Sequence, residues 1–358
     1  MSWILAFLGF AALIILHELG HFAVAKWVGM RVERFSLFFP PLLLKKKRGE
    51  TEYAIGAIPL GGYVKITGMN PHEELAPEVE HRAYYRQPVW KRIAVIAAGP
   101  FVNIFIAFVL LTGLYLANGV QDERATRIGA IEKSAPASGV LLAGDEIVAV
   151  DGVRGGVPRL IKQIQSHGCA GDERPGCRAE TPAAILVERG GREVMVKLRP
   201  LYDPQRKKMR VGIAFAEVRK DVGPVHASGL AVTAMWTFTT RTVDTIVRIV
   251  DPERRKEISG VVGSYEITRQ AVSVDLNQAI FFLAIISLSL GVINLFPFLP
   301  LDGGHIFWAL AEKIRGKAIP FGVLERAGFV GFALVLVLFA IGLSNDIRTL
   351  SGEGFRLQ

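Results

Sequence analysis

His17, Glu18 and His21 stand in the run HELGH, a His-Glu-x-x-His pattern. On a helix, residues four apart share one face, so the two imidazoles could ligate a single Zn2+. Glu18 projects beside them, where it could take a proton from a water activated by that metal. An internal hydrogen bond explains a lone buried histidine, but it does not explain two histidines and a glutamate together in an apolar run. A catalytic zinc needs a third protein ligand and an open position for water. The run NLFPFLPLDGG, residues 294–304, holds one acidic group, Asp302. By itself Asp302 would more often be a turn or cap carboxylate after Pro300. Asn294 could hydrogen-bond a scissile carbonyl or a developing oxyanion, or equally bridge two helices.

The elements that must position these groups are membrane spans. Hydrophobic residues make up 51% of the 358-residue chain, and its mean hydropathy of +0.34 is high for a soluble domain of this size. Four stretches reach the roughly 20 apolar residues that cross a bilayer, at 2–25, 93–117, 276–301 and 327–345. The first lacks the basic start and small-residue cleavage site of a signal peptide. Ionisable groups inside a span are costly and are presumed functional.

Eleven of the basic residues behind the net charge of +9 fall between Lys26 and Lys91, with a cluster at Lys45, Lys46, Lys47 and Arg48. Flanked by two apolar runs, this is the positive-inside signature of a cytoplasmic loop and not a nucleic-acid-binding face. The N-terminus and the long segment 118–275 then lie outside. The first and third spans deliver HELGH and Asp302 near the cytoplasmic side, where Pro297 and Pro300 break the helix.

Within the inside loop, GAIPLGGYVKITGM reads as a β-hairpin near the membrane face, with a structural role or a part in handling substrate. The segment 118–203 alternates short β-rich runs with Gly, Ser, Asp and Pro turns and is expected to form a small β-rich domain. Cys169 and Cys177 within it are either two unpaired thiols or, outside the cytoplasm, a small disulfide-closed loop. The run 228–250 carries Arg241, Asp244 and Arg248 among apolar residues. It is expected to lie as an amphipathic helix on the outer membrane surface within 204–275, in preference to a fifth span. AAGPFVNIF in the second span, with Gly99, Pro100 and Asn103, reads as helix packing and kinking.

Taken in order, HELGH, IPLGGYVK, GPFVN, SAPASGVLLAGDEIVAVDG and NLFPFLPLDGG make the chain resemble the site-2 protease family of intramembrane zinc metalloproteases. The resemblance is to the bacterial branch with an external PDZ domain that acts on anti-sigma factors, and it covers most of the chain. It implies one zinc on His17, His21 and Asp302, with Glu18 activating water. It further implies that the Gly61, Gly62 and Tyr63 region of the hairpin presents an unwound substrate as an added strand. The fold class it implies is a polytopic helical membrane protein with a cytoplasmic-side hairpin and one inserted extracytoplasmic PDZ-like domain, in a bacterial inner membrane. The substrate would be a single-pass membrane protein, an anti-sigma factor or a signal-peptide remnant, pre-cleaved by a site-1 protease in regulated intramembrane proteolysis. Some relatives carry two PDZ domains where this chain has room for one, and the Cys169–Cys177 segment looks like an insertion. A PDZ adaptor with a structural HELGH and a metal transporter are the competing readings. The second would need further polar residues along spans two and four, which offer almost none.

Overall fold

The fold is described by a computed structural model, which covers residues 2–70, 73–169, 171, 174–204, 206–248, 251 and 260–351. Two compact units emerge: residues 1–116 together with 223–358, and residues 117–222.

In the first unit, α1 spans Ser2–Trp27 and buries Leu13, His17, His21 and Ala25 at four-residue steps, with Gly20 on the same face. That spacing is one helical stripe, so the face turned inward is the one that carries both histidines. A hairpin-like pair follows, β1 (Val32–Arg48) and β2 (Thr51–Ile66). It is more folded than a simple hairpin, because Arg34 lies opposite both Lys65 and Glu52, and Leu37 opposite both Gly62 and Ile55. The short helix α2 (Pro77–Glu80) leads to α3 (Val89–Asn118), which buries Arg92, Ile96, Gly99, Asn103, Ala107 and Leu111 along one face.

Small residues let these helices approach. A Cβ on Gly20 would lie 2.7 Å from the Ala98 carbonyl oxygen of α3, the kind of contact that backbones make only over glycine. A buried cluster of Ala25, Met30, Val32, Ile66, Tyr84 and Val95 ties the end of α1 to the strand pair and the start of α3.

The second unit contains β3 (Val120–Gln121), β4 (Ile128–Ile131), β5 (Glu146–Val150), α4 (Val157–Gln165), β6 (Ala183–Arg189), β7 (Arg192–Leu198), β8 (Leu201–Asp203), β9 (Lys208–Arg210), β10 (Ile213–Phe215) and β11 (Arg219–Lys220). Its core is Ile128, Leu141, Ile147, Val150, Leu160, Ile185 and Val187. Gly190 and Gly191 join β6 to β7 at φ 57° and 78°, which a two-residue hairpin turn requires and which glycine adopts without strain. The unit does not end near residue 203 as the turn pattern predicts. β10 pairs with β4 and β11 with β3, so the chain as far as Val222 belongs to it. These closing strands are two or three residues long, too short to show an alternating pattern. Cys169 and Cys177 are joined, with Cα atoms 6.0 Å apart, against Ala179, Tyr202 and Met209.

The chain re-enters the first unit at α5 (Pro224–Val247), followed by α6 (Val261–Val274), α7 (Leu276–Asn294), α8 (Asp302–Arg315) and α9 (Phe321–Ser351). Asp346 of α9 accepts from the backbone N–H groups of Gly260 and Gly263 (3.0 and 2.8 Å), satisfying two donors at the start of α6. Among the described residues four helices are long and apolar enough to cross a membrane: α1, α3, α7 and α9. The third is shorter than predicted. It stops at Asn294 and not at 301, because Pro297 and Pro300 have no N–H to continue it and disfavour helix in the residues before them.

Candidate metal centre

Three elements bring the chemistry-bearing residues together. His17 and His21 project from the inner stripe of α1 and are each 7% exposed. Asp302 is the first residue of α8, and the turn before it is fixed by glycine. A Cβ on Gly303 would fall 2.1 Å from the Leu295 carbonyl oxygen, and one on Gly304 would fall 2.4 Å from the Leu299 nitrogen. The segment 295–301 therefore folds directly back over the start of α8, and the run Asp-Gly-Gly is what that fold demands. At the other end of α8, Glu312 accepts both Nη groups of Arg92 at 3.0 and 2.7 Å, locking the helix to the base of α3.

His17 Nε2 and His21 Nε2 lie 3.3 and 3.4 Å from Asp302 Oδ2, and 3.2 Å from each other. One ligand atom from each residue falls within 4.8 Å of the others. Two features test whether this trio suits a metal. Asp302 Oδ2 is buried without a hydrogen-bond partner among the described residues, and a buried carboxylate oxygen left so is costly unless a cation meets it. Gly99 of α3 faces the same point. A Cβ there would lie 2.3 Å from His21 Nε2 and 2.8 Å from His17 Nε2, so only glycine leaves that space open.

The outer nitrogens are also held. His21 Nδ1 donates to the Val95 carbonyl at 2.8 Å, which leaves Nε2 as the lone-pair nitrogen. Two imidazoles and one carboxylate are the three protein donors that a catalytic zinc site uses, and His17, His21 and Asp302 fit that set.

Glu18 is half-buried on α1, next to the strand pair: a Cβ on Gly62 would lie 2.8 Å from its Cγ and 3.0 Å from the Ser36 carbonyl oxygen. Gly61 lies against the Phe39 ring, which stacks on Tyr63 at a centroid distance of 6.1 Å. The strand pair is anchored away from this point by Glu50, which accepts from Lys26 of α1 (2.5 Å) and from both Nη groups of Arg82 (2.7 and 2.9 Å). The Arg82 and Lys26 hydrogen bonds hold the Glu50 carboxyl down at about 2. Asn294 is half-buried at the last residue of α7, short of the turn that carries Asp302.

Two residues of the centre went unread in the sequence as parts of it. Gly99 and Asn103 suggest only packing and kinking around Pro100, yet Gly99 faces both histidines and the Asn103 amide lies 3.1 Å from His17 Nδ1. An amide inside a span without charges was the available signal.

The model of peptidase family M50 matches residues 5–338. Zinc metalloprotease Rip1 of Mycobacterium bovis is 33% identical over 91% of this chain and 91% of its own. "Putative zinc metalloprotease CPE1693" of Clostridium perfringens is 30% identical, with 97% and 98% covered. "Putative zinc metalloprotease R01501" of Rhizobium meliloti is 29% identical, with 95% and 94% covered. The match runs from the first histidine-bearing helix through the Asp302 turn, and the chain is a zinc metalloprotease of peptidase family M50, the site-2 protease family.

Proposed function

We propose that this chain is an intramembrane endopeptidase that cuts the transmembrane segment of single-span membrane proteins, with Glu18 as general base and His17, His21 and Asp302 as the zinc ligands. The observation that carries the reading is the meeting of those three side chains, two of them on a helix apolar enough to span a bilayer. Bound there, zinc would supply a Lewis acid for the scissile carbonyl and lower the pKa of a water beside it. Glu18 takes the proton of that water as its oxygen bonds to the carbonyl carbon, then delivers it to the amide nitrogen as the C–N bond breaks. The Asn294 amide donates to the oxygen on which negative charge develops. A transmembrane helix hides its peptide bonds in its own hydrogen bonds, so the substrate must be extended first. The backbone of Gly61, Gly62 and Tyr63 offers a strand on which it can lie beside Glu18. An apolar cavity of about 680 Å³ between α3, α5 and α7, lined by Phe105, Phe108, Trp236, Leu288 and Pro297, offers a surface of the chemistry such a helix would meet.

The basic loop 26–91 supports an orientation with that loop and the active site toward the cytoplasm of a bacterial inner membrane. The N-terminus and the β-rich unit would then be extracytoplasmic, while α5, which packs along α3 and α7 from Leu111 and Ala284 to Pro297, would run beside those spans and not flat on the outer surface as its charges predict. In this reading the β-rich unit is PDZ-like and filters substrates. Those substrates are anti-sigma factors or signal-peptide remnants already trimmed by a site-1 protease, in regulated intramembrane proteolysis. The test is incubation of the purified protein with a panel of single-span model substrates in detergent. The native chain cuts within the span, and Glu18→Gln keeps its zinc and cuts none. A Glu18→Gln variant with native activity would contradict the role.

A further inference from the structure

Asn103 is fully buried in α3, and its amide meets His17 Nδ1 at 3.1 Å, on the side of the ring away from Asp302. Its Oδ1 has no hydrogen-bond partner among the described residues. The two ends of an amide exchange by a half-turn about the last side-chain bond, so the partnering group follows from what the ring requires. A neutral imidazole that gives Nε2 to a metal keeps its proton on Nδ1, and the group facing Nδ1 must then accept. An amide nitrogen cannot accept, whereas Oδ1 can, and turning it toward Nδ1 also ends its isolation.

Resting on the zinc reading above, we infer that Asn103 is a positioning residue. Its Oδ1 accepts the His17 Nδ1–H and holds the ring in the tautomer and orientation that present Nε2 to the metal. The backbone gives it a fixed seat. Ser287 Oγ of α7 donates to the Asn103 carbonyl at 2.8 Å, and Gly291 brings α7 close enough that a Cβ there would lie 2.9 Å from the Pro100 carbonyl oxygen. His21 has the same arrangement with a different acceptor, the Val95 carbonyl. Both zinc-facing imidazoles are thus aimed by α3, one through its backbone and one through a side chain.

The experiment is zinc affinity by chelator competition on the purified full chain, alongside thermal unfolding of the zinc-free protein. Asn103→Leu keeps the branched outline of the side chain but cannot accept, and should bind zinc about 10- to 100-fold more weakly. Asn103→Asp can only accept, and should restore native or tighter binding. Ser287→Ala removes one support of the Asn103 seat but leaves the acceptor, and should lower the unfolding temperature while weakening zinc binding much less than Asn103→Leu does. Native affinity in Asn103→Leu would overturn the inference. So would equal weakening in the Leu and Asp variants, or weakening in Ser287→Ala to the level of Asn103→Leu, because each marks a packing role. A native chain that takes up no zinc would strike the metal reading itself, and the inference with it.

Discussion

Gly99 lies so close to His21 that a methyl group on its Cα would sit 2.3 Å from the ring nitrogen Nε2. The neighbouring atoms belong to two imidazoles held at their far sides, so they cannot move away cheaply. Gly99→Ala is therefore expected to lose bound zinc while keeping its helices, because alanine favours helix over glycine. Metal analysis beside far-ultraviolet circular dichroism checks this, and native zinc content in the alanine variant would contradict it.

Gly62 bears on the other half of the chemistry. Alanine there would press on Glu18 Cγ at 2.8 Å and on the Ser36 carbonyl oxygen at 3.0 Å. Displacement of a catalytic group by about 1 Å can cost on the order of 100-fold in rate. Gly62→Ala should therefore retain zinc and lose at least about tenfold in kcat/KM. Peptide-cleavage kinetics and metal content measured on one preparation separate the two effects.

The Arg92–Glu312 pair fixes the helix that carries Asp302. Removing one partner of a fully buried pair costs roughly 3–5 kcal/mol. The Glu312 side chain is 26% exposed, so Glu312→Ala is expected to cost about 2 kcal/mol after allowance for solvent. Denaturant or thermal unfolding in detergent reads this directly. Zinc should also bind less tightly, since α8 is freer to move.

Acid should loosen the strand pair. The Glu50 carboxyl is lowered from an ordinary 4.5 to about 2 by its bonds to Arg82 and Lys26. A depressed folded-state value means that this contribution is complete above about 4.5 and is lost as pH falls toward 2. Protection of the β1–β2 amides from hydrogen exchange should fall over that window. Glu50→Gln should remove this part of the pH dependence, and an unchanged profile would show that Glu50 does not anchor the strands.

The centre was legible wherever chemistry coincided with local period. HELGH places its histidines on one helical face by spacing alone, and Asp302 is the sole acid in its run. Pairings set by tertiary packing left no such trace. Arg92 finds Glu312 220 positions away and Asn103 finds His17 86 away, and neither separation has a sequence period. Two boundaries moved for local reasons. Prolines ended α7 at Asn294 although the apolar run continues to Leu301, and three-residue strands carried the β-rich unit to Val222.

The most direct measurement is zinc per chain in protein purified without chelators, comparing the native chain with His17→Ala and Asp302→Ala. The account predicts about one zinc in the native chain, the content of a single three-ligand catalytic site, and its loss or marked reduction in both variants. A native chain that remains empty after reconstitution with zinc, or an Asp302→Ala variant that binds zinc as the native chain does, would contradict it.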